Sequence, residues 1–104
     1  MEQIQGVKLL LSYEVNENKL QDYYQFVMGR YVPTMQSYGL QMSEAWHTAY
    51  GQEPNRLIGF VCQDEAIMQT VISSDDWAEL NGQLQNFVSE FSFKIIPYRG
   101  GFQI

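Results

Sequence analysis

His47 is the one histidine of the chain, and it lies in a segment whose apolar and polar residues alternate as in a strand. Histidine is the residue type that most readily gains and loses a proton near neutral pH, so His47 is the natural candidate for acid–base catalysis. Its neighbours Ser43 and Ala45 are small and would leave room beside the ring. The alternative is a structural histidine that is hydrogen-bonded across the sheet.

Two glutamates in predicted strands, Glu14 and Glu44, could supply a second group for proton transfer. A carboxyl group that is buried has a raised pKa and can carry a proton at neutral pH. Glu14 is the second catalytic candidate, with the role of orienting His47. The alternative is a solvated carboxylate, or one that forms an ion pair with Lys8 or Lys94.

Aromatic residues could line a pocket for a planar or apolar ligand. The candidates are Trp46, Tyr50, Tyr13 and Tyr98. Ser43 and Lys94 are added as candidate polar contacts to the same ligand. For each aromatic residue taken singly, the alternative is ordinary packing in the core.

The sequence predicts no metal ion and no cofactor. One histidine without a local cluster of Asp, Glu or Cys cannot form a tetrahedral zinc site. His47 is also disfavoured as a haem ligand. It lies in a predicted strand, whereas haem enzymes usually present this ligand from a helix or loop. The pair Gly100-Gly101 is not followed by a helix, so it lacks the context of a phosphate-binding loop. No serine lies in a nucleophile-elbow pattern.

Composition narrows the possible partners. The 104 residues include six Lys and Arg against twelve Asp and Glu, which gives a net charge of −6. This charge disfavours binding to nucleic acid and to anionic membranes. A single cysteine, Cys62, excludes an intrachain disulfide, and no apolar run approaches the ~18 residues of a membrane span. We therefore expect one domain, residues 1–104, in the cytoplasm, with neither nucleic acid nor membrane as a partner.

Two helical regions are predicted between the strands. The first begins near Asn16 and Asn18, carries an apolar stripe, and ends at Gly39. Pro33 lies inside it and predicts a kink or short break around Tyr31 and Val32, since proline donates no backbone hydrogen bond.

The second helical region begins at Asp64, which can cap it. Its first piece runs to about Ile72. The polar run 73–76 then favours a new helix start, because hydroxyl and carboxylate side chains satisfy the free N–H groups of a first turn.

Four strands are predicted at residues 7–15, 40–50, 56–63 and 91–97. In strand 40–50 one face would hold Leu40, Met42, Glu44, Trp46, Thr48 and Tyr50, and the other Gln41, Ser43, Ala45, His47 and Ala49. The sequence leaves open which of these faces lies on the core.

The βαββαβ order predicts a ferredoxin-like α+β sandwich, with a four-stranded antiparallel sheet and the helices on one face. The other face would be half apolar, with Leu10, Leu57, Val61 and Ile96 among polar residues. Such a surface favours a homodimer with the two sheets face to face around a barrel-like space. The alternative is a monomer that tolerates the patch.

The chain as a whole resembles the dimeric α/β-barrel superfamily, in particular its NIPSNAP-like and EthD-like small proteins. The resemblance rests on the tyrosine-rich first helix that ends at Gly39, on segments 44–51 and 55–64, on the restart at 74–77 and on strand 91–97. It implies a homodimer with a pocket between sheet and helices or inside the barrel. The superfamily includes cofactor-free monooxygenases, haem-handling enzymes, isomerases and many proteins of unassigned role, so the resemblance does not select an activity.

Three functional hypotheses remain. The leading one is a homodimer that binds a small apolar or aromatic molecule at the sheet face, bordered by His47 and Trp46. The second is a cofactor-free monooxygenase or isomerase in which His47 moves a proton. The third is a structural or interaction module without a ligand.

Overall fold

The structure is a computed structural model that describes residues 5–47 and 55–99. Its four strands are β1 (Gln5–Val15), β2 (Gln41–His47), β3 (Arg56–Cys62) and β4 (Val88–Arg99). They form one antiparallel sheet in the order β2-β3-β1-β4, with β2 and β4 at the edges. The predicted ferredoxin-like α+β fold is confirmed. The predicted residue Tyr50 lies outside the described residues.

The first helical rod, residues 17–37, consists of four short pieces. A 3-10 turn (Glu17–Lys19) leads into helix α1 (Leu20–Phe26), a π turn (Val27–Tyr31) and helix α2 (Val32–Ser37). Asn16 caps its start, because the Asn16 side chain accepts a hydrogen bond of 3.0 Å from the Asn18 N–H. Gly39 ends the rod at φ +101°, a backbone conformation that favours glycine, as predicted.

The presence of Pro33 explains the π turn in the first helical rod. Proline has no N–H to donate to the carbonyl four residues earlier. The Val32 N–H instead donates to the Val27 carbonyl five residues back, and the wider turn that results precedes the proline. The interruption therefore lies at Val27–Tyr31 and not, as predicted, around Tyr31 and Val32 alone. Single π turns inside α-helices are rare, and they are frequently found at functional sites.

The second helical region is split as the sequence predicts. Helix α3 (Glu65–Ile72) is capped by Asp64, whose carboxylate accepts a 2.8 Å hydrogen bond from the Ala66 N–H. Helix α4 (Asp75–Leu84) is capped by Ser74, whose hydroxyl oxygen accepts a 3.1 Å hydrogen bond from the Trp77 N–H. No helix within the described ranges is long and apolar enough to cross a membrane.

The covered face of the sheet, which packs against the helices, holds the core. In β1 the residues Leu9, Leu11 and Tyr13 alternate into this face, and Leu9 lies between Phe60 of β3 and Ile95 of β4. The opposite, open face holds the residues that sequence alternation assigned to it. Its members from β1, β3 and β4 are Lys8, Leu10, Ser12, Glu14, Leu57, Gly59, Val61, Ser92, Lys94 and Ile96.

A bulge in β2 changes the alternation predicted for residues 40–50. Met42 pairs with Phe60 and Glu44 pairs with the next residue, Gly59, so Ser43 is the extra residue. Met42 is consequently on the covered face, whereas Glu44 is on the open face. The prediction that the two share a face was wrong.

A second bulge lies in β4, which begins at Val88 and is longer than the predicted strand 91–97. Ser12 pairs with Ser92 and Glu14 pairs with Ser89, so β4 carries one more residue than β1 between these pairs. Glu90 takes up the extra length with φ 57°, which is uncommon for a residue with a side chain.

Candidate functional site

A cavity of about 290 Å³ opens on the covered side of the β2 edge, between this strand and the first helical rod. Helix α1, the π turn, β2 and β3 all contribute to its wall, and most contributions are aromatic or aliphatic. The lining residues are Tyr23, Tyr24, Val27, Met28, Met42, Ala45, Trp46, His47, Arg56 and Ile58. The small Ala45 leaves space where β2 faces the rod.

Arg56 is the charged residue of this cavity, and it is only 7% exposed. Its guanidinium carbon lies 5.8 Å from the ring centroids of both Tyr23 and Tyr24. One terminal nitrogen donates a 3.0 Å hydrogen bond to the Tyr24 hydroxyl, and the other donates a 3.2 Å bond to the Asn55 carbonyl. Among the described residues, no carboxylate lies within ion-pair distance of Arg56.

Arg56 is not among the site residues predicted from the sequence, although a signal for it was present. Arg56 is two residues before Ile58 and four before Phe60, so it has the phase of the strand's buried side chains. A cation at an apolar position in a strand is unusual, because burying a charge is unfavourable unless something compensates it.

Two buried tyrosines, Tyr13 and Tyr23, lie next to Arg56 on the covered side of the sheet. The hydroxyl oxygens of Tyr13 and Tyr23 are 2.7 Å apart, and burial raises the pKa of both groups. Both rings therefore stay neutral well above neutral pH. Tyr23 lines the cavity, but Tyr13 is 1% exposed and does not. The prediction of Tyr13 as a ligand contact is corrected: it is a core residue that positions Tyr23.

His47, the last described residue of β2, lines the cavity and is exposed to solvent. It pairs with Arg56 across the β2–β3 ladder, which places the two side chains next to each other on the covered face. Imidazole and guanidinium can then donate hydrogen bonds to one ligand group. No carboxylate belongs to the cavity lining among the described residues.

Glu14 is not near His47. It lies on the open face of β1, and β3 separates β1 from β2, so the sheet stands between the two side chains. One carboxylate oxygen of Glu14 is buried without a hydrogen-bond partner among the described residues. The prediction that Glu14 orients His47 within one chain is therefore wrong for geometric reasons.

The open face carries a different polar cluster, centred on Glu44. The Glu44 side chain lies over Gly59 of β3, which has no side chain of its own to block it, and the Glu44 carboxylate contacts the Lys8 ammonium at 2.7 Å. This hydrogen bond is the main reason why the pKa of Glu44 is lowered, and Ser43 and Trp46 contribute less. An ion pair with Lys8 was one of the alternatives drawn from the sequence, and it is confirmed.

The remaining predicted ligand contacts also lie on the open face. Trp46 pairs with Leu57 there and is 63% exposed, although it also reaches the cavity at the strand edge. Ser43 lies at the bulge beside Gly59, and Lys94 is exposed opposite Leu10. The sheet thus divides the predicted site, with His47 on one side and Ser43 and Lys94 on the other. The described residues contain no group of three potential metal ligands.

No protein-family model and no curated protein sequence matches this chain. Solved structures do match it. A NIPSNAP family protein from Agrobacterium tumefaciens superimposes with a TM-score of 0.65 at 12% identity, over 92% of this chain and 87% of the other. An uncharacterised NIPSNAP domain protein from Burkholderia xenovorans gives 0.61 at 10% identity, over 88% and 91%. The chain has the NIPSNAP-like fold.

A third similar structure is a proposed antibiotic biosynthesis monooxygenase from Nitrosomonas europaea. Its TM-score is 0.66 at 10% identity, and the match covers 99% of this chain and 96% of the other. Identities this low establish a shared fold and no shared activity. The resemblance to the NIPSNAP-like proteins of the dimeric α/β-barrel superfamily is thereby confirmed as a likeness of fold.

Proposed function

We propose that the protein binds a small aromatic or apolar molecule in the cavity between the first helical rod and β2. The lining carries the proposal: mostly apolar and aromatic walls, with Arg56 and His47 side by side, are typical of a small-molecule site. Met28 and Met42 add flexible apolar side chains that can adapt to the shape of a ligand. This cavity replaces the open sheet face as the proposed ligand position.

Native mass spectrometry of the protein purified from its own host tests this proposal. We expect an additional non-covalent mass that denaturation removes. Ala45→Phe should fill the cavity and abolish that mass, because the Ala45 side chain faces the space between β2 and the rod. Ala78→Phe on the exposed surface of α4 is the matched control and should leave the mass unchanged. The absence of any ligand mass would favour the hypothesis of an interaction module.

We further propose a homodimer that forms through the open face. Leu10, Leu57, Val61 and Ile96 are only half-buried there, and the Trp46 ring is largely exposed. Burial of about 600 Å² of apolar area per protomer would contribute on the order of 15 kcal/mol before the entropy of association is subtracted. The cytoplasmic location, and the lack of nucleic-acid and membrane partners, remain parts of this proposal. Sedimentation equilibrium tests the dimer, and a monomer at high concentration would contradict it.

A cofactor-free monooxygenase is the second candidate, and the position of His47 in the cavity favours it. His47 would accept a proton from an activated substrate CH₂ group, and dioxygen would oxidise the resulting carbanion. One oxygen atom would become the product carbonyl, and the other would leave as water with the two hydrogens of the carbon. The name of the Nitrosomonas europaea structure is consistent with this chemistry.

Oxygen consumption with an anthrone as substrate tests the enzyme hypothesis. His47→Gln should abolish turnover, whereas Glu14→Gln should retain it, because Glu14 lies on the other side of the sheet. Equal loss in the two variants would contradict a role for His47 inside this cavity. Ligand binding without oxygen consumption would support the binding function and contradict the monooxygenase hypothesis.

A further inference from the structure

Arg56 differs from the other cations that the structure describes, because it is buried and has no acid within ion-pair distance among the described residues, whereas Lys19 and Lys94 are exposed. Lys8 has Glu44 at 2.7 Å, and the exposed Arg30 has Glu79 at 3.6 Å. Arg56 is more than nine-tenths buried, and the two hydrogen-bond partners that it has within the described ranges, a phenol hydroxyl and a backbone carbonyl, are neutral. Burying a charge without a counter-charge is strongly unfavourable, so a buried arginine with no acid among the described residues indicates that an anion comes from elsewhere.

The surroundings of Arg56 hold the guanidinium in place without neutralising it. The faces of Tyr23 and Tyr24 attract the cation through their ring electrons. Two of its five N–H donors are used by the Tyr24 hydroxyl and the Asn55 carbonyl. The remaining donors belong to a side chain that lines the cavity, with His47 next to it.

We infer that the cavity selects aromatic ligands with an anionic head group, a carboxylate or a phenolate, and that Arg56 binds this group. The inference rests on the proposed function and specifies its ligand class. The head group would accept hydrogen bonds from Arg56 and His47. The aromatic body would lie against Tyr24, Val27 and Met28, in a volume suited to roughly one or two rings.

Two probes of nearly the same shape test the inference: 2-naphthoate, which is charged, and 2-naphthamide, which is neutral. Their affinities for the full-length protein are compared by isothermal titration calorimetry at neutral pH. We expect 2-naphthoate to bind at least about tenfold more tightly, because hydrogen bonds to an ionised acceptor are the stronger kind.

Arg56→Gln removes the charge and keeps donors near the Tyr24 hydroxyl, so it should abolish the preference for 2-naphthoate. Arg30→Gln is the matched control, since Arg30 is exposed and does not line the cavity, and it should retain the preference. If Arg56→Gln does not fold, the preference of the unaltered protein for 2-naphthoate over 2-naphthamide still tests the selection of an anionic head group.

The outcomes separate the inference from the function on which it depends. Equal binding of the two probes would overturn the inference and leave the proposed function intact. Binding of neither probe would overturn both. A preference for 2-naphthoate that survives in a folded Arg56→Gln variant would overturn the assignment of Arg56.

Discussion

The two faces of the sheet are built from the same alternating strands, yet Lys8 on one face and Arg56 on the other are held in opposite ways. On the open face, Lys8 is neutralised by Glu44 at 2.7 Å. On the covered face, Arg56 is packed among phenol rings and has no acid among the described residues. Covering an ion pair leaves no single charge uncompensated, whereas a buried guanidinium with no acid nearby is stabilised when an anion binds to it. The contrast supports the two proposals that a ligand binds at the covered face and that two protomers associate through the open face.

The two faces also differ in how completely they are packed. Leu9 is 0% exposed between neighbouring strands and helices, whereas Leu10, the next residue of β1, is only half-buried on the open face. Leu9 and Leu10 are the same residue type and lie in the same strand, so they form a matched pair for comparing the two faces.

Leu9→Ala should have the largest effect on stability. It removes a fully buried side chain, so the free energy of unfolding should fall by about 2–5 kcal/mol at every protein concentration. Leu10→Ala should lower it by less than about 1 kcal/mol in dilute protein and by more where a dimer forms. Urea denaturation over a range of protein concentrations measures both. Equal, concentration-independent losses would show that the two faces are equally buried within one chain.

The buried phenols predict a loss of stability in alkali. Because burial raises the pKa of Tyr13 and Tyr23, the folded protein keeps protons that the unfolded chain begins to release near pH 10. The contribution of these phenols to stability should therefore be constant below about pH 10 and fall above it, by up to about 1.4 kcal/mol per pH unit for each tyrosine. Denaturation curves between about pH 8 and 11 test this, and a flat profile would contradict the buried state of these groups.

Tyr13→Phe should make that alkaline decline shallower and should also weaken the fold at neutral pH. The Tyr23 hydroxyl would lose its 2.7 Å partner, a loss of about 1–3 kcal/mol for a buried polar group. The double variant Tyr13→Phe/Tyr23→Phe should recover part of this loss, because no hydroxyl of the pair then lacks a partner.

Local patterns in the sequence predict most of the fold. The cap Asp64, the helix restart within residues 73–76 and the terminal Gly39 were predicted because each signal acts on its own helix end. The assignment of β1 to two faces followed from strict alternation, and the register of the sheet confirms it. These features depend on neighbouring residues only, so a single sequence contains the necessary information.

The division of the site depends on a contact that local patterns do not contain. The bulge at Ser43 places Met42 and Glu44 on opposite faces, and it depends on how β2 meets Gly59 of β3. A glycine inside a strand can indicate a bulge or a close approach, so Gly59 carried a usable signal. Once the bulge is present, His47 and Trp46 are fixed on the covered and open faces respectively.

Gly59→Val should disrupt the cluster on the open face. A Cβ atom at this position would lie 2.8 Å from the Ser43 hydroxyl oxygen and 3.1 Å from Cγ of Glu44, so a larger side chain must displace Glu44. The pKa of Glu44 should then rise towards its ordinary value, which a carbon-13 NMR titration would measure. Lys8→Met removes the same contact from the other side and should raise this pKa as well. An unchanged pKa in Gly59→Val would show that the carboxylate reaches Lys8 by another path.

Glu44→Gln should have the smallest effect in a monomer. Because Lys8 lowers the pKa of Glu44, the ion pair stabilises the fold above the carboxyl's ordinary pKa, and the stabilisation is lost as the pH falls through the lowered value. With both side chains partly exposed, the loss at neutral pH should be below about 1 kcal/mol and should vanish in acid.

The same variant distinguishes a free open face from one that a second protomer covers. Glu79→Gln, which removes the partner of the exposed Arg30, is the matched control and should have almost no effect at any protein concentration. In a dimer the Lys8–Glu44 pair would be taken out of water, and removing one partner of a buried pair typically destabilises by about 3–5 kcal/mol. An effect of Glu44→Gln that grows with protein concentration would therefore place this ion pair inside the interface, whereas a constant small effect would leave it in solvent.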